Sequence, residues 1–443
     1  MFQICHINIE IKKRELISRL DLAIELVRRG ILVILGECYD PKILLKFGSD
    51  NSYILGKCAQ QDTLKKFKLL IDRGWTFGAL DEEGLLPDSL NVFASQRFSP
   101  EIGNICSDYF FFGNKQKEVF DKTFGPLNSF IVSGNPRTDM WQAKCYGLYD
   151  LEIKDIKKKY GNYVLLPLNF GYYTEVLLHS LSTTGHLKND NQVLAKKSEF
   201  LFDQFCKLAE KIAKEKKINV IMRPHPTDDP SHISKLMVKH GVRSDLVHCI
   251  NTNDVFPWIS AAKILFHNCC TTSIEAGFCG TPVMTFSPSN VSLLKEDCIN
   301  KLFPIAQTYE EAMAELGQNS DRLFISSNFK SRIKKWDRLS LKFNGSTAGY
   351  IADSIVQRNI FEKNQKNIKL SKQVDYKRLK SEFLSKISGF LGNNQRKINL
   401  DKFPRTNKEE IVNIVNHICK YRGYKEKLSI TDINSNLFGI YKN

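Results

Sequence analysis

Lys263-Ile264-Leu265-Phe266-His267-Asn268-Cys269-Cys270-Thr271-Thr272-Ser273-Ile274-Glu275-Ala276-Gly277 passes from an apolar run through His-Asn into small hydroxyl residues, then into a helical pattern with an acid in its first turns. It reads as a strand emptying into the N-terminus of a helix. The first N–H groups of such a helix lack intrahelical acceptors, and the helix dipole places partial positive charge beside them. Phosphate is the usual guest of that geometry. An ordinary Thr/Ser helix cap is the competing reading of the same residues. Gly280-Thr281-Pro282-Val283-Met284-Thr285-Phe286 follows as the next strand, which makes the unit β-turn-α-β.

The same alternation extends in both directions. Apolar runs predict strands over 2–9, 31–35, 53–55, 75–80, 108–112 and 130–132, with helices over 14–30, 61–72 and 115–123 between them. The pattern restarts with strands over 163–168, 218–222 and 246–250 and helices over 192–216, 231–240 and 255–262. Continuous apolar strands separated by helices predict parallel sheets covered on both faces. The fold class is α/β, with two doubly wound, Rossmann-like domains expected to face a cleft, where the carboxyl ends of open sheets bind ligands. The expected bounds are 1–150, 151–359 and a basic, helical extension over 360–443.

Size and composition agree. The chain has 443 residues, 42% hydrophobic and 25% charged, as soluble two-domain proteins do. No apolar run reaches the ~20 residues needed to cross a bilayer, and the first ten residues carry an acid and no basic leader. Twelve cysteines are scattered without a C-x-x-C pair or zinc-ligand spacing, so no metal is expected and a reducing, cytoplasmic setting fits. Of the net charge of +16, residues 360–443 supply +10, from 18 Lys and Arg against 8 Asp and Glu. Such a tail suits an anionic partner (membrane surface, nucleic acid or acidic glycan) or is solvated surface. An apolar stripe of Phe383, Leu384, Ile387, Phe390 and Leu391 fits packing on the body or a membrane surface.

Three further motifs can carry chemistry. In Val220-Ile221-Met222-Arg223-Pro224-His225-Pro226 the prolines end a strand and fix a rim carrying Arg223 and His225. A guanidinium and an imidazole beside a helix N-terminus can neutralise a leaving phosphate without metal. In Gly78-Ala79-Leu80-Asp81-Glu82-Glu83-Gly84 three adjacent carboxylates repel one another, which can raise the pKa of one of them. One such acid can deprotonate an acceptor hydroxyl or attack a sugar; the other reading is a solvated acidic turn. Ser133-Gly134-Asn135-Pro136-Arg137-Thr138-Asp139 sets Asn135, Arg137 and Asp139 at a domain junction, for ligand contact or for an Arg–Asp lock. Glu10 and Arg14, in the first β-α turn, are candidates for an anionic acceptor or simple helix-start polarity.

Together, Glu10–Glu15, Asp81–Leu85, Arg97–Glu101, Gly134–Asp139, Asn169–Gly171, Arg223–Pro226 and His267–Ala276 resemble the GT-B glycosyltransferases, specifically bacterial surface carbohydrate biosynthesis proteins. Glu82-Glu83-Gly84, His225-Pro226 and Thr271-Thr272-Ser273 are similar to the trio of motifs in bacterial sialyltransferases and Kdo transferases. That resemblance implies a catalytic carboxylate at Glu82 or Glu83, with Asp81 in the same run leaving the register open. It also implies a nucleotide-sugar site at Arg223, His225, His267, Asn268, Thr271, Thr272, Ser273 and Glu275, with Glu275 on the nucleotide ribose. The Gly134–Asp139 segment also resembles nucleotide-sugar 2-epimerases and CDP-glycerol transferases.

The implied activity is transfer of a sugar from a nucleotide sugar, CMP- or UDP-linked and such as CMP-Kdo, to a glycan or lipid-linked acceptor in polysaccharide or lipopolysaccharide assembly. No further cofactor and no nucleic acid are expected, and peripheral contact at the inner face of the cytoplasmic membrane would come through the basic tail. The alternatives are a nucleotide-sugar 2-epimerase and a non-enzymatic basic scaffold binding membrane or nucleic acid.

Overall fold

The structure, a computed structural model, describes residues 4–38, 41–48, 51–82, 84, 90–99, 105–141, 147–171, 173, 189–225, 228–252, 254–293, 299–317, 329, 331–333, 336, 346–365, 406–434 and 436–442. The chain divides into two units, Met1–Met140 with Asp337–Asn443, and Trp141–Trp336. Division therefore falls at 140/141 and 336/337, and the C-terminal segment belongs to the first unit instead of standing apart from residue 360.

In the first unit, β1 (Ile4–Asn8), β2 (Leu32–Gly36), β3 (Ser52–Gly56), β4 (Thr76–Leu80), β5 (Cys106–Phe111) and β6 (Phe130–Val132) form a parallel array in the order β2-β1-β3-β4-β5-β6. Leu32, Val33, Ile34 and Leu35 are all fully buried, which is why β2 reads as an unbroken apolar run. The helix Lys12–Arg28 returns from β1 to β2 and buries Leu16, Leu20, Ala23, Ile24 and Val27. Phe98, Tyr109, Phe111, Phe120 and Phe130 make edge-on ring contacts that fill the far side of the sheet. The chain leaves β1 for β2 on one side and β3 on the other, so the topological switch lies at the carboxyl ends of β1 and β3.

The tail corrects one expectation. Its described part holds a helix, Lys408–Arg422, but then two antiparallel strands, β13 (Leu428–Asn434) and β14 (Leu437–Lys442). β14 pairs antiparallel with β2, so the sheet has eight strands in the order β13-β14-β2-β1-β3-β4-β5-β6. Gly36, at φ +133, makes this docking possible, because a Cβ there would stand 2.0 Å from the Asn436 carbonyl oxygen. The helix is tied down by Lys12–Glu410 at 2.8 Å and by Arg422 on Asp21. Residues 360–405 hold 12 Lys and Arg against 4 Asp and Glu, while 406–443 hold 6 against 4. Most of the tail's positive excess, and the stripe from Phe383 to Leu391, thus lies outside the described residues.

In the second unit, β7 (Tyr163–Pro167), β8 (Asn219–Arg223), β9 (Val247–Cys249), β10 (Ile264–His267), β11 (Val283–Phe286) and β12 (Ile305–Ala306) are all parallel, in the order β12-β11-β10-β7-β8-β9. The 28-residue helix Asn189–Lys216 covers one face through Leu201, Phe205, Leu208, Ala209 and Ile212. Here the switch falls between β7 and β10, at Leu168-Asn169 and His267-Asn268-Cys269. Both units are doubly wound, as the alternation predicts. Among the described residues no helix is long and apolar enough to cross a membrane.

Candidate functional site

The second-unit switch point is built from the turn that leaves β10. Cys269 adopts φ +54, a left-handed backbone that L residues with a Cβ rarely hold. Its N–H donates to Asn300 Oδ1 at 2.7 Å, and its carbonyl accepts from Asn169 Nδ2 at 3.0 Å. Its sulfur meets Ser292 Oγ at 3.0 Å and Asn300 Nδ2 at 3.3 Å. The helix Thr272–Cys279 starts three residues later, with Thr271 as an N-cap whose side chain makes no capping bond. The amides of Ser273 and Ile274 are taken by the carbonyls of Cys270 and Thr271. Among the described residues no backbone carbonyl accepts from the N–H groups of Cys270 or Thr271. The group near the Thr272 amide and hydroxyl is the Cys270 thiol, which burial pushes up to about 11. A neutral thiol is a weak acceptor, so the helix start is poorly capped and open to an anion.

The residues marked from sequence separate here. Thr271 and Thr272 are half-buried at the mouth of the turn, and Glu275 is buried one turn into the helix. Arg223 ends β8, paired in register with Pro167 at the end of β7. Its guanidinium donates to the Thr252 carbonyl at 2.9 Å and lies 5.8 Å from the centre of the Trp258 ring. Burial pushes Arg223 down to about 10, against the pull of Asp254, Tyr163 and Glu275. Arg223 and Glu275 are therefore close enough to interact electrostatically.

His225 is exposed; its N–H donates to Asp228 Oδ2 at 3.1 Å. His267, Asn268 and Ser273 are used inside the fold. Asn268 donates to the carbonyls of Phe286 and Val291 and accepts from Leu293 N–H, stitching the β10 and β11 loops together. Ser273 Oγ donates back to the Cys270 carbonyl at 2.6 Å. His267 is fully buried and its pKa is driven down to about 3 by burial. Its Nε2 lies 3.1 Å from Thr285 Oγ1, which donates to the Asn300 carbonyl, so Nε2 carries the proton and the ring is neutral.

In the first unit, the loop after β4 carries Asp81 and Glu82, both buried. Glu82 Oε1 lies 3.0 Å from Arg19 Nη2, and Oε2 lies 3.6 Å from Arg137 Nη1. Asp81 accepts from Tyr109 Oη at 3.3 Å and faces Arg97 Nε at 3.7 Å. Both carboxyls are raised above the usual range, and the first cause is burial, not repulsion within the acidic run. Arg19 and Arg137 oppose the rise at Glu82, and the like charge that adds to it is Glu15. Glu83 lies outside the described residues. Asn135 bridges two loops: Nδ2 donates to the Asp81 carbonyl at 3.0 Å, and Oδ1 accepts from Arg137 N–H at 2.9 Å.

Glu10 pairs with Lys57 at 2.6 Å and Arg14 with Glu15 at 2.9 Å. Asp139 instead faces the tail, accepting from Thr347 N–H at 2.7 Å, from Thr347 Oγ1 at 2.9 Å and from Arg422 at 3.3 Å. Sequence reasoning did not single out Arg19 or Asn300. A cation beside Leu16 and Leu20 on an apolar helix face is a legible signal for Arg19. Asn300 has none, because its partner is 31 residues away.

No protein-family model matches the chain, and none of the curated proteins matches it. Among solved structures it is similar to the wall teichoic acid polymerase TagF in a CDPG soak, with 13% identity and TM-score 0.50 over 82% of this chain and 90% of that one. A UDP-GlcNAc 2-epimerase from Neisseria meningitidis bound to UDP-GlcNAc matches with 13% identity and TM-score 0.49, covering 82% of this chain and all of that one. At this identity the TagF likeness is one of fold, and it agrees with the GT-B-like, two-sheet architecture expected from the sequence.

Proposed function

We propose that the chain is a nucleotide-sugar-dependent glycosyltransferase of surface-carbohydrate assembly. The observation that carries the proposal is the turn after β10: a poorly capped helix start at a topological switch point, with Glu275 in its first turn and Arg223 within electrostatic range of Glu275. In this reading the amides of Cys270 and Thr271 and the hydroxyls of Thr271 and Thr272 take the donor phosphate. Arg223, and His225 from the same rim, neutralise the charge that builds on the leaving nucleotide. Glu275 is assigned to a ribose hydroxyl.

The reacting carboxylate is assigned to Glu83. Asp81 and Glu82 are committed to buried partners, so Glu82 is given a positioning part, holding Arg137 while Glu10 and Arg14 line the acceptor side. A glycan or lipid-linked acceptor is proposed, and the net +8 of residues 360–405 supports a peripheral membrane contact on the cytoplasmic side. The proposed donor is a nucleoside mono- or diphosphate sugar.

Thermal melts with CMP, UDP, CDP and GDP test the donor site, since a ligand bound only by the native state raises the midpoint. Incubation of the matching nucleotide sugar with and without a glycan acceptor then tests the reaction. Nucleotide release that requires acceptor is the expected result. A C2-epimerised sugar formed without acceptor would establish the epimerase instead, and salt-sensitive nucleic-acid binding with no nucleotide response would establish the scaffold.

A further inference from the structure

The cradle after β10 depends on a residue that does not itself face the phosphate. Cys269 sits at φ +54 without the freedom of glycine, and a left-handed L residue is disfavoured by a factor of about five to thirty. Something must hold it there. Asn300, fully buried in the turn Asn300–Leu302, meets Cys269 at two points: Oδ1 on the N–H at 2.7 Å and Nδ2 on the sulfur at 3.3 Å. The same Nδ2 lies 3.2 Å from Ser292 Oγ, itself in contact with the Cys269 sulfur. The Asn300 carbonyl is anchored in turn by Thr285 Oγ1 at 3.1 Å. On the opposite side, Asn169 holds the Cys269 carbonyl from the end of β7.

From this geometry we infer that Asn300, assisted by Asn169, is the positioning residue of the phosphate turn: it fixes Cys269 in the left-handed backbone and thereby presents the amides of Cys270 and Thr271. The inference rests on the donor-site reading given above. Cysteine at 269 is then functional as a tether, since its sulfur supplies a third point of attachment that glycine lacks. Pre-organisation of this kind is felt in affinity, because an unclamped turn must be ordered each time a ligand binds.

The experiment is a double-mutant cycle on the full chain: wild type, Asn300→Ala, Cys269→Gly and the pair. Affinity is measured calorimetrically for the nucleotide that most raises the wild-type melting point, and separately for inorganic pyrophosphate. Asn300→Ala is expected to weaken binding about five- to thirty-fold. Glycine at 269 adopts the left-handed backbone without cost, so the pair should bind within a few-fold of Cys269→Gly alone. Should Asn300→Ala fail to fold, Asn169→Ala takes its place in the cycle with a smaller loss.

A drop in melting point with unchanged affinity would overturn the inference, as would a pair that binds no better than Asn300→Ala. If wild type binds pyrophosphate but no nucleotide, the donor reading fails while the pyrophosphate cycle still decides the role of Asn300. If it binds neither, both fall.

Discussion

Replacing Arg422 by Met should unseat the tail from the first unit, in a pH-dependent way. The guanidinium reaches Asp21 through Nε at 3.1 Å and Nη2 at 2.5 Å, and Asp139 through Nη2 at 3.3 Å. Asp21 is fully buried and Asp139 is 6% exposed. Removing this shared cation leaves two buried carboxylates with weakened compensation, a change worth about 3–5 kcal/mol. For a unit of this size, at roughly 2–4 °C per kcal/mol, the melting point should fall by roughly 6–20 °C.

Burial already pushes the Asp21 carboxyl up to about 6, while Arg422 pulls it back and Asp139 and Glu25 push it further up. A carboxyl raised above its unfolded value of 3.8 binds more protons in the folded state. Its contribution to stability is then greatest at low pH and declines as pH rises through the window from 3.8 to about 6. Without Arg422 that window extends upward. Urea melts of both proteins at pH 5 and pH 8 should show a loss that is small at the lower pH and full at the higher one. Adding Asp21→Asn to the variant should recover much of the loss at pH 8. An equal loss at both values, or none, would refute the account.

Other substitutions separate stability from chemistry. Cys270→Asp buries a carboxylate where the thiol now lies and should destabilise the second unit by about 1 kcal/mol or more while weakening nucleotide binding, read by paired melts and titrations. Glu82→Gln takes the carboxylate from between Arg19 and Arg137 and should cost about 3 kcal/mol or more, whereas Glu83→Gln should abolish transfer. The opposite pattern would return the reacting carboxylate to Glu82. Deleting residues 406–443 uncovers the edge of β2, so the truncated chain should aggregate in size-exclusion chromatography.

Much of this architecture is legible in the sequence. Strands β1 to β11 and most of the helices between them fall within a few residues of their expected positions, because each is a local apolar run or a helical stripe bounded by glycine or proline. The strand-to-helix turn after β10 is likewise legible, since His-Asn, small residues and a helix pattern lie consecutively. Other features escaped it. β14 lies some four hundred residues from the strand it pairs with, and its docking turns on a contact between Gly36 and Asn436.

The sites divide in the same manner. Sequence alone determined which segments carry charge and hydroxyl groups: the acidic run at Asp81, the Arg-Pro-His rim and the Thr-Thr-Ser turn. Which of those groups turn inward depends on contacts that the folded chain brings together. His267 is a neutral core residue beneath the turn, Asp139 answers to Arg422 and Thr347, and Glu82 is locked between two guanidiniums. The physical reason is range. Secondary structure follows from neighbours a few residues apart, whereas burial and ion pairing are set by partners from distant elements, as with Asp21 and Arg422 or Cys269 and Asn300.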